Sequence, residues 1–229
     1  MSPGQGGTLF EHIGLRVLEH LEHHGGAAVQ PSADGEAGLA SGRVVLVTST
    51  HAREGKSFIS QGLATALARQ QDGDVIWVDA AFGRPPADAD NIARRGASGL
   101  SEIMTLGSLQ GLAPAGVGTD RLWRLGRGVL AQPALLQRAD AVAKALTALR
   151  AGFGLIVLDA PSLAACGALL AQADACVMVV DSRHTGRGEA RRALMESRLG
   201  PDRLAGLVLN HRPRPAPRWL GGDVREQGR

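Results

Sequence analysis

Five apolar runs, each closing on or beside a polar residue, constrain this chain more than any other feature. VVLVT (44–48), VIWVD (75–79), LIVLD (155–159), CVMVV (176–180) and LAGLVLN (204–210) are hydrophobic at nearly every position, and RLWRL (121–125) is a weaker sixth. A strand with one wet face alternates between apolar and polar residues. A run without that alternation is covered on both sides, as in a parallel sheet between layers of helices. Helical patterns fill the intervals, over 57–70, 98–106, 133–151, 163–172 and 186–199. The alternation predicts an α/β fold: a doubly wound, mainly parallel sheet of about six to eight strands flanked by helices. Such folds bind ligands at the carboxyl ends of their strands. Thr48, Asp79, Asp159, Asp181 and Asn210 stand at or just past those ends.

The 229 residues suffice for one large domain of this class. Aromatic residues are only 3% of the chain, so its core must be built from Ala, Leu and Val. Residues 9–24 carry Leu9, Ile13, Val17 and Leu21 at helical spacing and predict an amphipathic helix. His20, His23 and His24 close it without a carboxylate or cysteine cluster, which fits a solvated helix end rather than a metal site. Gly, Ala, Ser and Pro dominate 25–41, the composition of a linker. The expected organisation is an N-terminal helix and linker over 1–41, a globular domain over 42–211 and a basic, Pro-rich tail over 212–229. A net charge of +3 does not by itself call for a polyanionic partner. Cys166 and Cys176 fit no zinc spacing and read as reduced thiols. The first thirty residues lack the pattern of a secretory leader, and no apolar run approaches the roughly 18 residues of a membrane span. A cytoplasmic chain is the expectation.

The chemistry concentrates where the first run meets the first helical pattern, in VTSTHAREGKSFISQGLATALA (47–68). A strand, a loop and a helix start form an anion site, because the first N–H groups of a helix point outward and its dipole favours negative charge. Lys56 adds a point charge for phosphates, and the Ser57 hydroxyl can enter a Mg2+ shell. The strict G-x-x-x-x-G-K-S pattern fails at Thr50, and Arg53 and Glu54 occupy the middle of the loop. Asp79 closes the second run, placed to bind metal or orient a nucleophile; a turn cap before Pro85 is the alternative. Asp159 follows four apolar residues, the form of a metal-holding Walker B carboxylate. Asn210 ends the last run, and its amide can both donate to and accept from an adenine edge, or simply form a turn.

Taken in order, VVLVTSTHAREGKSFISQGLATALA, VIWVDAAFGRP, SGLSEIM, PALLQRADAVAKALTALRAGFGLIVLDAPSL, ADACVMVVDSRHTGRGEARRAL and LAGLVLNH resemble the bacterial tyrosine kinases of polysaccharide biosynthesis, the CapB/CpsD type within the MinD/ParA class of P-loop ATPases. The resemblance spans 42–211. It implies ATP and Mg2+ as cofactors, with Arg53, Glu54, Gly55, Lys56, Ser57 and Phe58 around the nucleotide and Asn210 facing adenine. It implies Ser57, Asp79 and Asp159 as the metal set, and Lys56, Asp79 and Asp159 as the catalytic set. The implied partner is an inner-membrane polysaccharide co-polymerase of the chain-length-determinant type. That partner would hold the chain at the inner membrane from the cytoplasmic side.

The departures from the pattern carry equal weight. The second acidic motif of such kinases is usually Asp-x-Asp, and here its second position is Ala81. A carboxylate that would take the substrate proton is absent, and such general-base assistance contributes about 10²–10⁴-fold. The chain has no Tyr, so it cannot phosphorylate itself on tyrosine. The N-terminal Glu-x-x-Arg-x-x-Arg that builds a ring of subunits is broken around Glu11 and Arg16, with Gly14 where an arginine would fall; this leaves a homo-oligomer open. His51 stands where MinD/ParA proteins carry a signature lysine, which favours the kinase-like branch. Arg53 replaces a loop glycine, at a cost of about 1 kcal/mol if the position needs positive φ. The expectation is a kinase-like ATPase that uses ATP mainly as a conformational ligand. The alternative is a ParA/MinD-like positioning ATPase acting on DNA or membrane, drawn from the basic segment 183–200 and from Arg212, Arg214 and Arg218. Glu189 and Glu196 interrupt that segment, so nucleic acid is not the expected partner. Trp219 is left open between docking on a membrane or partner and folding back on the domain.

Overall fold

The computed structural model describes residues 3–24, 42–83, 99–109, 115–116 and 121–211. The linker 25–41, Pro85, and the tail with Arg212, Arg214, Arg218 and Trp219 lie outside them. In chain order the elements are α1 (Pro3–His24), β1 (Arg43–Ser49), α2 (Lys56–Gln70), β2 (Val75–Asp79), α3 (Leu100–Leu106), β3 (Ala115–Gly116) and β4 (Leu122–Leu125). After a 3₁₀ turn (Pro133–Gln137) come α4 (Ala139–Gly152), β5 (Leu155–Ser162), α5 (Ala168–Gln172), β6 (Ala175–Asp181), α6 (Arg187–Ser197) and β7 (Leu204–Asn210). The seven strands form one sheet in the order β3-β4-β2-β5-β1-β6-β7. All pairings are parallel except that of the two-residue β3 with β4. β1 lies between β5 and β6, with β2 and β4 beyond β5 on one side and β7 beyond β6 on the other, so the strand order reverses beside it. That is the switch point at which such sheets open a crevice.

Each apolar run is divided residue by residue between two cores, because successive strand side chains point to opposite faces. Val44, Leu46, Ile76, Val78, Ile156, Leu158, Met178 and Val180 pack with α3, α4 and α5. Val45, Val47, Val75, Trp77, Leu155, Val157, Val177 and Val179 pack with α1 and α2. The same alternation carries Ser49, Asp79, Asp159 and Asp181 onto the α2 face and sends Thr48 to the other. There Thr48 donates to the Pro161 carbonyl at 2.6 Å and meets the Cys166 sulfur at 3.4 Å. Thr48 thus belongs to the α5 side and not, as its place in the sequence suggested, with the other polar strand ends.

Two expected helices are broken. The segment 133–151 divides at Arg138 into the 3₁₀ turn and α4. The segment 163–172 divides at Gly167, whose positive φ of 54° and contact with the Leu136 carbonyl admit no side chain. β5 runs on to Ser162, so Asp159 lies within the strand rather than at its end.

α1 begins six residues earlier than its apolar spacing predicts and packs along α2, with Val17 and Leu21 buried in the α2-side core. Gly14 is buried against Gln70, and the Gln70 amide donates to the Glu11 carbonyl at 2.9 Å. A side chain at position 14 would displace the Gln70 amide from this contact. At the other end of the contact the Phe10 ring lies directly on Gly62. Replacing Gly62 with Ala therefore overpacks the α1–α2 seam and is expected to cost about 1–3 kcal/mol. Hydrogen exchange should show faster exchange in α1 with β1 and β5 little changed.

Candidate functional site

The loop between β1 and α2 folds around a buried carboxylate. Glu54 is 3% exposed. Its Oε2 accepts the His51 N–H at 2.9 Å, and its Oε1 accepts the Asp181 N–H at 3.2 Å and the Thr185 hydroxyl. Its carbonyl accepts the Asn210 side-chain amide at 2.9 Å. Glu54 thereby joins the ends of β1, β6 and β7. Burial by itself pushes its carboxyl up, but the hydrogen bonds from His51, Thr185 and Asp181 outweigh burial and hold it below the ordinary 4.5. Arg53 beside it adopts φ 67°, the left-handed region that a glycine would take without strain. Gly55 follows at φ 95° with the Asn210 amide against its α-carbon, so no side chain fits there. α2 then starts at Lys56.

Lys56 is 3% exposed and turned back into the loop. Its ammonium donates to the Ser49 hydroxyl at 2.7 Å and to the His51 carbonyl at 3.2 Å. Ser57 follows on the same first turn, and its carbonyl accepts the Ser60 hydroxyl at 3.2 Å. Ser60 in turn accepts the Trp77 indole N–H at 2.9 Å, fastening α2 to β2. Phe58, expected at the nucleotide, gives its N–H to the Gly55 carbonyl and sets its ring edge-on to Phe10, with centroids 5.5 Å apart. The structure thus places the Phe58 ring against α1. Asn210, expected to face adenine, instead spends its amide N–H on Glu54 and accepts the His211 N–H on its oxygen at 2.9 Å.

Asp79 and Asp159 are direct register partners on β2 and β5. Asp159 is 2% exposed. Asp79 Oδ2 accepts Arg127 Nε at 3.0 Å and Nη2 at 2.6 Å, and its Oδ1 accepts the Ala81 N–H at 3.0 Å. Arg127 is itself buried and stands two residues past β4, at the carboxyl end of the sheet. It was missed in the sequence because a lone arginine in a Gly-Arg-Gly turn carries no motif. Its position just past a weak strand was the one available signal. Glu102 fixes that turn by accepting the N–H groups of Gly99, Val129 and Leu130 at 2.6, 2.9 and 3.1 Å.

Asp181 is the anchor of a second cluster. Arg183 pairs with it through Nε at 3.2 Å and Nη2 at 3.1 Å, and the Nδ1 atoms of His184 and His211 lie 3.1 and 3.2 Å away. The Arg183 guanidinium, against burial and with help from the Arg183 N–H and His184, holds this carboxyl far below the usual carboxylate range. On the outer flank of the loop, His51 Nε2 meets Glu189 of α6 at 2.7 Å beside a cleft of about 730 Å3.

Lys56, the helix start, Ser57 and Asp159 make a donor set that suits a nucleotide phosphate chain with a divalent cation. Asp79 is engaged elsewhere. Among the described residues no cluster of His, Cys, Asp and Glu builds a metal site by itself, and no helix is long and apolar enough to cross a membrane.

No family model matches the chain, and no curated protein matches it. Solved structures do. The kinase domain of VpsO superposes with a TM-score of 0.63 at 23% identity, covering 75% of this chain and 86% of that one. The kinase domain of the Escherichia coli tyrosine kinase ETK gives 0.62 at 19% identity, covering 77% and 71%. A ParA family ATPase from Chlorobium tepidum gives 0.52 at 15% identity, covering 73% of each. The fold is that of the bacterial tyrosine-kinase domains and the ParA-type P-loop ATPases. At these identities the likeness establishes architecture.

Glu54 and Arg53 give opposite tests of the loop. A carboxyl held below its unfolded value stabilises the fold above about pH 4.5, and that contribution is lost as pH falls through the lower folded value. Glu54→Gln should cost about 1–3 kcal/mol at neutral pH and flatten the acid limb of the stability–pH curve. Arg53→Gly should raise unfolding free energy by up to about 1 kcal/mol, read from denaturant midpoints.

Proposed function

We propose that the chain binds ATP with Mg2+ at the loop between β1 and α2 and serves as the kinase-like ATPase partner of an inner-membrane polysaccharide co-polymerase or export complex, without tyrosine autophosphorylation. The observation that carries the nucleotide reading is Lys56. Lys56 is buried at the first position of the helix that follows β1 and its loop, and its ammonium, held by the Ser49 hydroxyl and the His51 carbonyl, adds a positive charge at an anion-binding helix start. Neighbours of the same fold have been solved with ATP and with ADP and magnesium. In the proposed complex Lys56 and the α2 N-terminus bind and orient phosphates, and Ser57 and Asp159 hold the cation. Magnesium supplies charge neutralisation between the phosphates. Ala81 leaves its position without a carboxylate, and the chain has no Tyr to receive a phosphoryl group. Both features favour ATP as a ligand that shifts an assembly equilibrium over ATP as a phosphoryl donor.

The partner and the location on the cytoplasmic side of the inner membrane follow from the resemblance in sequence order and are the parts of the proposal furthest from the site itself. The fold shared with a ParA family ATPase supports a second reading, a positioning ATPase on DNA or membrane. DNA binding that falls steeply with salt would favour it.

ATP at about 100 times its Kd should stabilise the chain by about 2.7 kcal/mol in thermal melts with Mg2+, and Lys56→Ala should lose that gain while keeping the fold. Absence of any ATP- or ADP-dependent shift in the wild type sinks the nucleotide reading. Label transfer from ATP to a Tyr-rich peptide sinks the view of ATP as mainly a conformational ligand.

A further inference from the structure

Glu189 and Glu196 interrupt the basic segment 183–200 along the sequence, but the fold sets them apart from its arginines. α6 packs on the sheet through Ala190 and Leu194. On one flank Glu189, Arg192 and Glu196 line the cleft beside Ser162 and Leu163, towards the middle of the sheet. The opposite flank carries Arg187 and Arg191 one helical turn apart and therefore faces the β7 edge; Arg198 caps the end of the helix at φ 55°. All three arginines are exposed, and among the described residues none of them is in an ion pair.

β7 presents bare leucines to that flank. Leu207 and Leu209 are register partners of Met178 and Val180, so they point to the same face of the sheet as α6. They are 51% and 56% exposed, because β7 is the edge strand and the helix does not cover it. Met195, 70% exposed, adds a third apolar group on the outer surface of α6. Asp202, in the turn that leads to β7, lies beside His20 of α1 on the other face of the sheet. The patch thus joins three unpaired guanidinium groups to three uncovered apolar side chains, with no acid among the described residues to balance it. A nucleic-acid backbone would engage the arginines and leave the leucines wet. An anionic lipid surface engages both, since headgroups take the arginines and the interfacial layer takes Leu207, Leu209 and Met195.

We infer that this face, α6 with the β7 edge, docks the domain directly on an anionic membrane surface. The face lies outside the loop between β1 and α2, so the inference is independent of the nucleotide reading. It adds a lipid contact of the chain's own to a reading in which a partner alone holds it at the membrane.

The test is co-sedimentation of the full chain with vesicles of phosphatidylcholine, with and without phosphatidylglycerol. The wild type should bind the anionic vesicles and not the neutral ones, and less tightly as salt rises. One arginine at such a surface is worth about fivefold, so Arg191→Gln should weaken binding by about that factor and Arg187→Gln with Arg191→Gln by about 25-fold. Arg192→Gln removes the same charge from the cleft flank and should change binding by less than about twofold. Leu207→Ser with Leu209→Ser should weaken it several-fold while keeping its salt dependence. The tail is present in every variant, so these differences read the α6–β7 face. Failure of the wild type to bind anionic vesicles overturns the inference, as do equal losses from Arg191→Gln and Arg192→Gln. Duplex DNA bound with the same arginine dependence, and vesicle binding with no leucine dependence, would assign the face to nucleic acid instead. A wild-type dimer that the leucine pair turns monomeric would assign it to a second copy of the chain. If the leucine pair does not fold, the comparison of Arg191→Gln with Arg192→Gln still decides.

Discussion

The site depends on one buried carboxylate. In a glycine-rich phosphate loop the backbone reaches its shape because few side chains oppose it. Here Arg53 sits at φ 67°, and the Glu54 carboxylate gathers N–H and O–H donors at and beyond the ends of β1 and β6. Removing a buried acceptor from several donors is costly, so hydrogen bonds to Glu54 rather than a run of glycines hold the loop's shape. Asn210 completes the arrangement from β7 by holding the Glu54 carbonyl and filling the space beside Gly55. The loop, β6 and β7 behave as one piece, and Lys56 is presented from that piece.

Two arginines then set the electrostatics around it. Arg127 neutralises Asp79, and Arg183 with His184 and His211 surrounds Asp181. Asp79 and Asp181, two of the aspartates on the α2 face, are thus paired with basic side chains. These pairs balance charge within the protein, and the α2 helix start adds its dipole at the loop.

The sheet was legible because burial on both faces leaves a plain mark: the runs beginning at Val44, Val75, Leu155, Cys176 and Leu204 fall within or coincide with β1, β2, β5, β6 and β7. The loop and its lysine were legible for a related reason, since Gly-Lys-Ser between a buried strand and a helix has few structural uses. Side-chain partners were not. Whether Asp79 faces a metal or an arginine depends on Arg127, 48 residues away, and no local pattern encodes that pairing. Glu54 looked like a residue near the nucleotide because its neighbours are, yet its carboxylate turns inward to Asp181 and Thr185, 127 and 131 residues on. Helix breaks were equally hidden: at Gly167 it is the Leu136 carbonyl, from a different segment, that forbids a side chain.

The N-terminal helix shows how tertiary contact gives meaning to an apparent defect. Gly14 breaks the Arg spacing, and its bare α-carbon is what lets Gln70 close on α1. The contact runs from Phe58 in the first turn of α2 to Gln70 in its last, with Phe10 laid across Gly62 between them. Lys56 and Ser57 share that first turn with Phe58. Close-packed interiors shift between discrete arrangements rather than yield gradually. The seam thus packs α1 against α2 along its length, and α1 carries Leu9 and Leu15 at 43% and 51% exposure on its outer side. The loop between β1 and α2 and the outer surface of the domain are joined by one continuous helix pair.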